Sequence, residues 1–154
     1  MKVALGSDHA GFRYRGLFEA ALLAAGHEVA VHGATTEKEP YDYTEVSEAV
    51  ARAVAEGRAD RGVIVAGSGN GEAIVANKIH GIRAAVCNDQ YTAEMARRHN
   101  DSNVICVGQR ACGEAVALKS LEIWMATPFE GGRHASRIAN ISGLEERLRK
   151  EYGA

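Results

Sequence analysis

The sequence predicts an α/β protein, a parallel sheet with helices on both faces. Short β-rich runs alternate with longer helical stretches along the 154 residues, and that rhythm gives parallel strands joined by right-handed crossovers. The clearest run, Gly62-Val63-Ile64-Val65-Ala66, is apolar throughout, as a parallel strand covered on both faces must be. No internal repeat, low-complexity segment or linker interrupts the pattern, so residues 1–154 are expected to form one domain.

The elements follow in order. Residues 2–6 form the first strand, and 12–25 a helix closed by Gly26. Residues 28–32 read as a second strand ending at Gly33, and 34–40 as a polar loop. Across 43–56, Val46, Val50 and Val54 recur every fourth residue, the spacing of one helix face. After the strand at 62–66 come a helix beyond Gly71, a strand at 82–86 and a helix over 89–99. A strand at 104–107 and a helix over 114–125 continue the rhythm. The last stretch, 136–152, is a charged helix with Ile138, Ile141, Leu144 and Leu148 along one side.

Composition narrows the function classes. The chain is 46% hydrophobic and 25% charged, ordinary for a protein that buries a core. Its formal net charge of -2 gives no overall attraction to nucleic acid or anionic membranes. An anionic ligand therefore needs a local basic cluster. Cys87, Cys106 and Cys112 show no C-x-x-C spacing and read as reduced thiols. The chain opens directly into a strand, with no basic and then apolar leader, and the apolar stretch at 20–25 is too short to span a bilayer. A cytoplasmic location is the expectation.

In an open α/β sheet, ligands bind beyond the carboxyl ends of the strands. The segments there are Ser7-Asp8-His9, Gly67-Ser68-Gly69-Asn70-Gly71-Glu72, Cys87-Asn88-Asp89 and Gly108-Gln109-Arg110. In the second, glycines at alternate positions allow a tight turn and expose N–H groups without Cβ obstruction. A helix starts at its end, so the loop suits a phosphate or the oxyanion of an enolate. A plain strand-to-helix turn uses the same glycines. As a dinucleotide fingerprint the loop fails, because Glu72 stands where the third glycine belongs and no G-K-[ST] ending follows.

Other candidates each have a structural and a chemical reading. Glu72 opens a helix, where acidic residues pair with the dipole, yet a carboxylate beside an oxyanion nest is also where a base is needed. Asp8 is either a helix cap or, with His9, part of a site. His99 and Asn100 close the run Arg97-Arg98-His99-Asn100, where cations and Asn are favoured structurally too. His27, His32 and His80 show no metal-ligand spacing, and no metal site is expected. Arg133-His134-x-x-Arg137, after Gly131-Gly132, has no acidic residue within it and matches the geometry of phosphate. Arg110 could join that cluster.

Together, Ser7-Asp8-His9-Ala10-Gly11, Gly67-Ser68-Gly69-Asn70-Gly71, His99-Asn100-Asp101 and Arg133-His134-x-x-Arg137 resemble the type B ribose-5-phosphate isomerases. That family includes the galactose-6-phosphate isomerase subunits. The motifs run in the family's order from Lys2 to about Tyr152. The resemblance implies a Rossmann-like three-layer α/β/α sandwich with a C-terminal helix. It implies homodimers or homotetramers with the site at the subunit interface, and no cofactor. It further implies that Asp8 and His99 assist ring opening and that His9, Arg110, Arg133 and Arg137 hold the phosphate. Gly67, Ser68, Gly69, Asn70 and Gly71 would stabilise an enediolate, and Asn100 would contact sugar hydroxyls.

One departure bears on the base. Many members carry a cysteine at the position of Ala66, which cannot move a proton, whereas another branch places a glutamate after the loop, as Glu72 does here. Glu72 is therefore the expected base. Thr44, where proline often follows Asp42-Tyr43, carries no functional reading.

The expected activity is metal-independent interconversion of ribose 5-phosphate and ribulose 5-phosphate through a cis-enediolate, within the pentose phosphate pathway. The nearest rival is an isomerase of galactose 6-phosphate, allose 6-phosphate or a tetrulose phosphate, since the sugar pocket is not legible in these motifs. A non-catalytic phosphosugar-binding protein would keep the arginines and lack the base. A nucleotide or flavin module fits the fold class but not the glycine spacing.

Overall fold

Runs of Val, Ile, Leu and Ala form five strands of one sheet in the computed structural model, which describes residues 1–153. The strands are β1 (Lys2–Ser7), β2 (Glu28–Gly33), β3 (Arg61–Ala66), β4 (Ala84–Val86) and β5 (Val104–Gly108). They pair in the order β2-β1-β3-β5-β4, and every pairing is parallel. The helices are α1 (Phe12–Ala24), α2 (Tyr43–Ala55), α3 (Asn70–Ala76), α4 (Gln90–Arg98), α5 (Glu114–Ala126) and α6 (Arg133–Tyr152).

Alternation along the strands divides the core into two layers. Val3, Leu5, Val63, Val65, Ile105 and Val107 face α1, α4 and α5, where Phe18, Ala93 and Trp124 cover them. Ala4, Ile64 and Cys106 face α2 and α3, against Val46, Val50 and Ala73. Phe18 and Trp124 are fully buried, so truncating either to Ala costs about 3–5 kcal/mol. The three-layer sandwich expected of the sequence is the architecture observed. Among the described residues, no helix is long and apolar enough to cross a membrane.

The boundaries differ in three instructive places. β4 starts at Ala84 rather than residue 82. Asn77 bonds both backbone groups of Ala84 (2.9 and 2.8 Å), and Asn103 accepts from the N–H of Arg83 at 2.8 Å. Asn77 thereby satisfies the backbone of the first residue of β4, and Asn103 holds Arg83 through its side chain and its backbone N–H. A 3-10 turn at His9–Gly11 precedes α1, capped by Asp8, whose Oδ1 accepts from the Gly11 N–H at 2.9 Å. α6 begins at Arg133, three residues before the expected start, directly after Gly131 and Gly132 with φ of 69° and 53°.

Each crossover helix runs antiparallel to the strands it joins, and this fixes where the chemistry goes. The loops after β1, β3 and β5 lie at the carboxyl edge of the sheet. The C-terminus of α4 delivers His99 and Asn100 to the amino edge, just before β5. α5 returns to the same edge, where Arg61, the first residue of β3, donates to the carbonyls of Trp124 and Met125 at 2.9 Å. A five-residue strand such as β5 separates the two edges by roughly 15 Å at about 3.3 Å per residue.

Candidate active site

At the carboxyl edge the glycine loop turns from β3 into α3. Gly69 adopts φ 86°, open to glycine and strained for most other residues, and this left-handed residue begins the helix. Gly71 lies against the ring of Tyr43, so close that a Cβ there would stand 2.8 Å from Tyr43 Cε2. Ser68 Oγ accepts from the Asn70 N–H at 3.3 Å. Asn88 ties the loop to β5: its Oδ1 accepts from the Gly108 N–H at 2.7 Å, and its Nδ2 donates to the Ser68 carbonyl at 3.3 Å.

Glu72 is buried in the first turn of α3. Burial pushes its carboxyl above the usual carboxylate range, and the nearby charge of Asp8 pushes the same way. The N–H groups of Glu72 and Gly69 pull it down, and burial wins. The carboxylate is thereby made a better proton acceptor than an exposed one. Asp8 is buried as well, one oxygen bonded to Gly11.

His9 is half-buried, and its Nδ1 accepts from the Tyr41 N–H at 3.2 Å. A backbone N–H only donates, so the His9 proton lies on Nε2 and is available to an anion. Arg110 is exposed over Gly67, its Nη1 3.8 Å from where a Cβ at that glycine would stand. Gly67, Ser68, Arg110 and Ala111 line a cavity of about 330 Å³. A larger cavity, about 740 Å³, lies between α1 and α5. Its walls are mostly apolar and none of the candidate residues line it, so it is not the site of this chemistry.

The amino edge carries the second group. Asp101 has φ 43°, and its carboxylate is gripped by Arg83 at 3.0 Å and Arg97 at 2.9 Å. That grip fixes the turn presenting His99 and the exposed Asn100. The His99 ring stacks on His134, centroids 4.2 Å apart and planes 9° from parallel. Glu130 spans both rings, 4.0 Å from His99 Nε2 and 3.9 Å from His134 Nε2, and is itself held by Arg98 at 2.8 Å. Arg133 Nε donates to His134 Nε2 at 3.3 Å. Arg133 and Arg137 are exposed, four residues apart in the first turns of α6. Cations there oppose the helix dipole, which makes the cluster a stronger sign of anion binding than the sequence conveyed.

His99, Glu130 and His134 form the one group of described residues with metal-ligand proximity, their donor atoms within 4.8 Å of one another. Near-parallel rings point their lone pairs side by side rather than at a common centre, and Arg98 already occupies Glu130. The arrangement fits a stacked ring pair beside an anchored carboxylate better than a metal centre.

The candidate residues thus form two groups within one chain. Asp8, His9, the 67–71 loop, Glu72 and Arg110 gather at the carboxyl edge, and His99, Asn100, Arg133 and Arg137 at the amino edge. Arg110 does not join the Arg133 cluster within a chain, because a full strand length lies between them. Sequence reasoning left Asn88, Glu130 and His134 without a role. Asn88 stood in a loop already marked for chemistry, whereas Glu130 carried no local signal.

A family model described as Ribose/Galactose Isomerase matches residues 3–141. The chain belongs to the ribose/galactose isomerase family. Within it, ribose-5-phosphate isomerase B of Escherichia coli (strain K12) is 41% identical over 146 residues, covering 95% of this chain and 97% of that protein. The solved structure of ribose-5-phosphate isomerase B from Clostridium thermocellum superimposes with a TM-score of 0.93 at 40% identity, covering 96% of this chain and 99% of that one. A D-erythrulose-4-phosphate isomerase of Pectobacterium atrosepticum is 34% identical, covering 94% of this chain and 95% of that protein. The family resemblance read from the four motifs is therefore correct.

Proposed function

We propose that this chain is an aldose–ketose isomerase that interconverts ribose 5-phosphate and ribulose 5-phosphate. The observation that carries the reading is the buried Glu72 carboxylate, raised in basicity and adjoining a glycine turn, in a chain 41% identical to a ribose-5-phosphate isomerase B.

Glu72 removes the C2 proton of the open-chain aldose and returns it to C1. One carboxylate suffices, since both carbons lie on the same face of the cis-enediolate. The developing oxyanion is met by backbone N–H groups of residues 67–71, at roughly 3–4 kcal/mol for a well-placed donor. Asp8 and His99 move the protons that open the furanose ring. His9 Nε2–H, Arg110, Arg133 and Arg137 hold the phosphate, and Asn100 meets sugar hydroxyls. The remote phosphate supplies binding energy that sets the reacting carbons against Glu72. One proton moves from C2 to C1 and one from O2 to O1, so atoms and electrons balance without a redox partner.

The two groups of residues are united in a homodimer. An isologous pair turned antiparallel brings the carboxyl edge of one copy beside the amino edge of the other. The apolar stripe Ile141, Leu144 and Leu148 on α6 is exposed in the single chain and suits burial against a second copy. The assembly is expected in the cytoplasm, without nucleic-acid or membrane partners.

A tetrulose phosphate is the second reading, favoured by the 34% identical erythrulose-phosphate isomerase. Turnover measured across pentose, hexose and tetrose phosphates separates the two. The highest kcat/KM is expected for ribose 5-phosphate, and a higher value for a tetrose phosphate would replace it.

A further inference from the structure

His134 is buried, 4% exposed, while Arg133, Ala135, Ser136 and Arg137 around it in the turn are exposed. It touches two groups of different function. Its ring face lies on His99 with centroids 4.2 Å apart. Its Nε2 accepts from Arg133 Nε at 3.3 Å.

We propose that His134 is a positioning residue that orients the His99 imidazole through its ring face and aims the Arg133 guanidinium through its Nε2 lone pair. The inference rests on the roles given above to His99 and Arg133.

The hydrogen bonds dictate the form of the ring. Arginine only donates, so Nε2 of His134 carries no proton and the neutral ring is protonated at Nδ1. Burial favours that neutral form, and His99, Arg133 and Arg137 reinforce it against the opposing charge of Glu130. With its Nε engaged, Arg133 still offers four N–H groups as a fork for phosphate. Near-parallel stacking fixes the plane of His99, and Glu130, anchored by Arg98, spans the Nε2 edges of both rings. A single side chain therefore couples a ring-opening group to a phosphate clamp.

Two substitutions separate these contacts. His134→Phe keeps a flat ring against His99 and removes the acceptor. With ribose 5-phosphate, KM is expected to rise about three- to tenfold while kcat stays within about twofold. His134→Gln keeps an acceptor for Arg133 and removes the ring, so kcat is expected to fall about tenfold with KM within about twofold. Equal effects in the two variants, a reversed split or no effect in either would overturn the proposal.

His99→Ala and Arg133→Ala are measured in parallel. If His99→Ala loses kcat and Arg133→Ala raises KM while the His134 variants do not split, this inference falls alone. If both control variants match the parent, the roles of His99 and Arg133 fall and the inference with them. The parent protein gives a check that needs no variant. Long-range ¹⁵N–¹H correlation at neutral pH is expected to find His134 protonated at Nδ1 and bare at Nε2, and a proton on Nε2 overturns the aiming of Arg133.

Discussion

Asp8 and Glu72 are both buried at the carboxyl edge of the sheet, and the charge of Asp8 adds to burial in holding the Glu72 carboxyl above its ordinary range. The sign of its linkage to stability follows. A carboxyl raised in the folded state binds its proton more tightly there than in the unfolded chain, so its cost to stability is absent at acid pH and grows as pH rises through the folded value. Glu72→Gln is therefore expected to raise Tm at neutral pH, the gain vanishing below about pH 4, where the unfolded carboxyl is also protonated. Differential scanning across pH checks this, and a Tm lowered at neutral pH would contradict it. Such a gain is the usual counterpart of a functional group held in an unfavourable place.

Arg133 and Arg137 lie exposed in the first turns of α6, and neither forms a salt bridge with a described residue. Replacing either with Ala is expected to raise KM for a phosphorylated substrate about ten- to a hundredfold, from the lost charge-assisted contact. Tm should hardly move. Unchanged kinetics in both variants would remove them from phosphate binding.

Separation of the two groups by a strand length predicts complementation. Glu72→Gln and His99→Ala chains are each expected to be nearly inactive. In a mixed dimer one site regains both intact groups and the other loses both. Random exchange makes half the dimers mixed, so about a quarter of the parent activity should return. No recovery after subunit exchange verified by mass spectrometry would mean that each site is built from one chain.

Much of this was legible in the chain because the signals are local. β3 announced itself by five apolar residues in a row, and Glu72 stood out by following a turn of alternate glycines. What the sequence obscured depends on contacts between distant residues. The backbone groups at the start of β4 are bonded by Asn77 and Asn103, seven and twenty residues away. His134 follows an arginine among exposed residues, and the ring stacked on it belongs to His99, thirty-five positions earlier. The separation of Arg110 from Arg133 follows from helix direction, since α5 carries the chain from one edge of the sheet to the other. Motif order alone does not reveal it.

The central claim is that Glu72 is the base, and its most direct test combines turnover with isotope exchange. In Glu72→Gln, kcat is expected to fall about 10²–10⁴-fold while substrate still binds, as loss of a general base requires. Deuterium from solvent should cease to enter C2 of the substrate. Alkylation offers the contrast. Cys106 is fully buried with its thiol pushed up by burial, and burial holds Cys87 at about 12. The half-buried Cys112 thiol is pushed up by burial as well, so none of the three is a thiolate at neutral pH and the parent enzyme should keep its activity after thiol alkylation. Full turnover and deuterium exchange in Glu72→Gln, with activity lost on alkylation, would contradict the account and put a thiolate in place of the carboxylate.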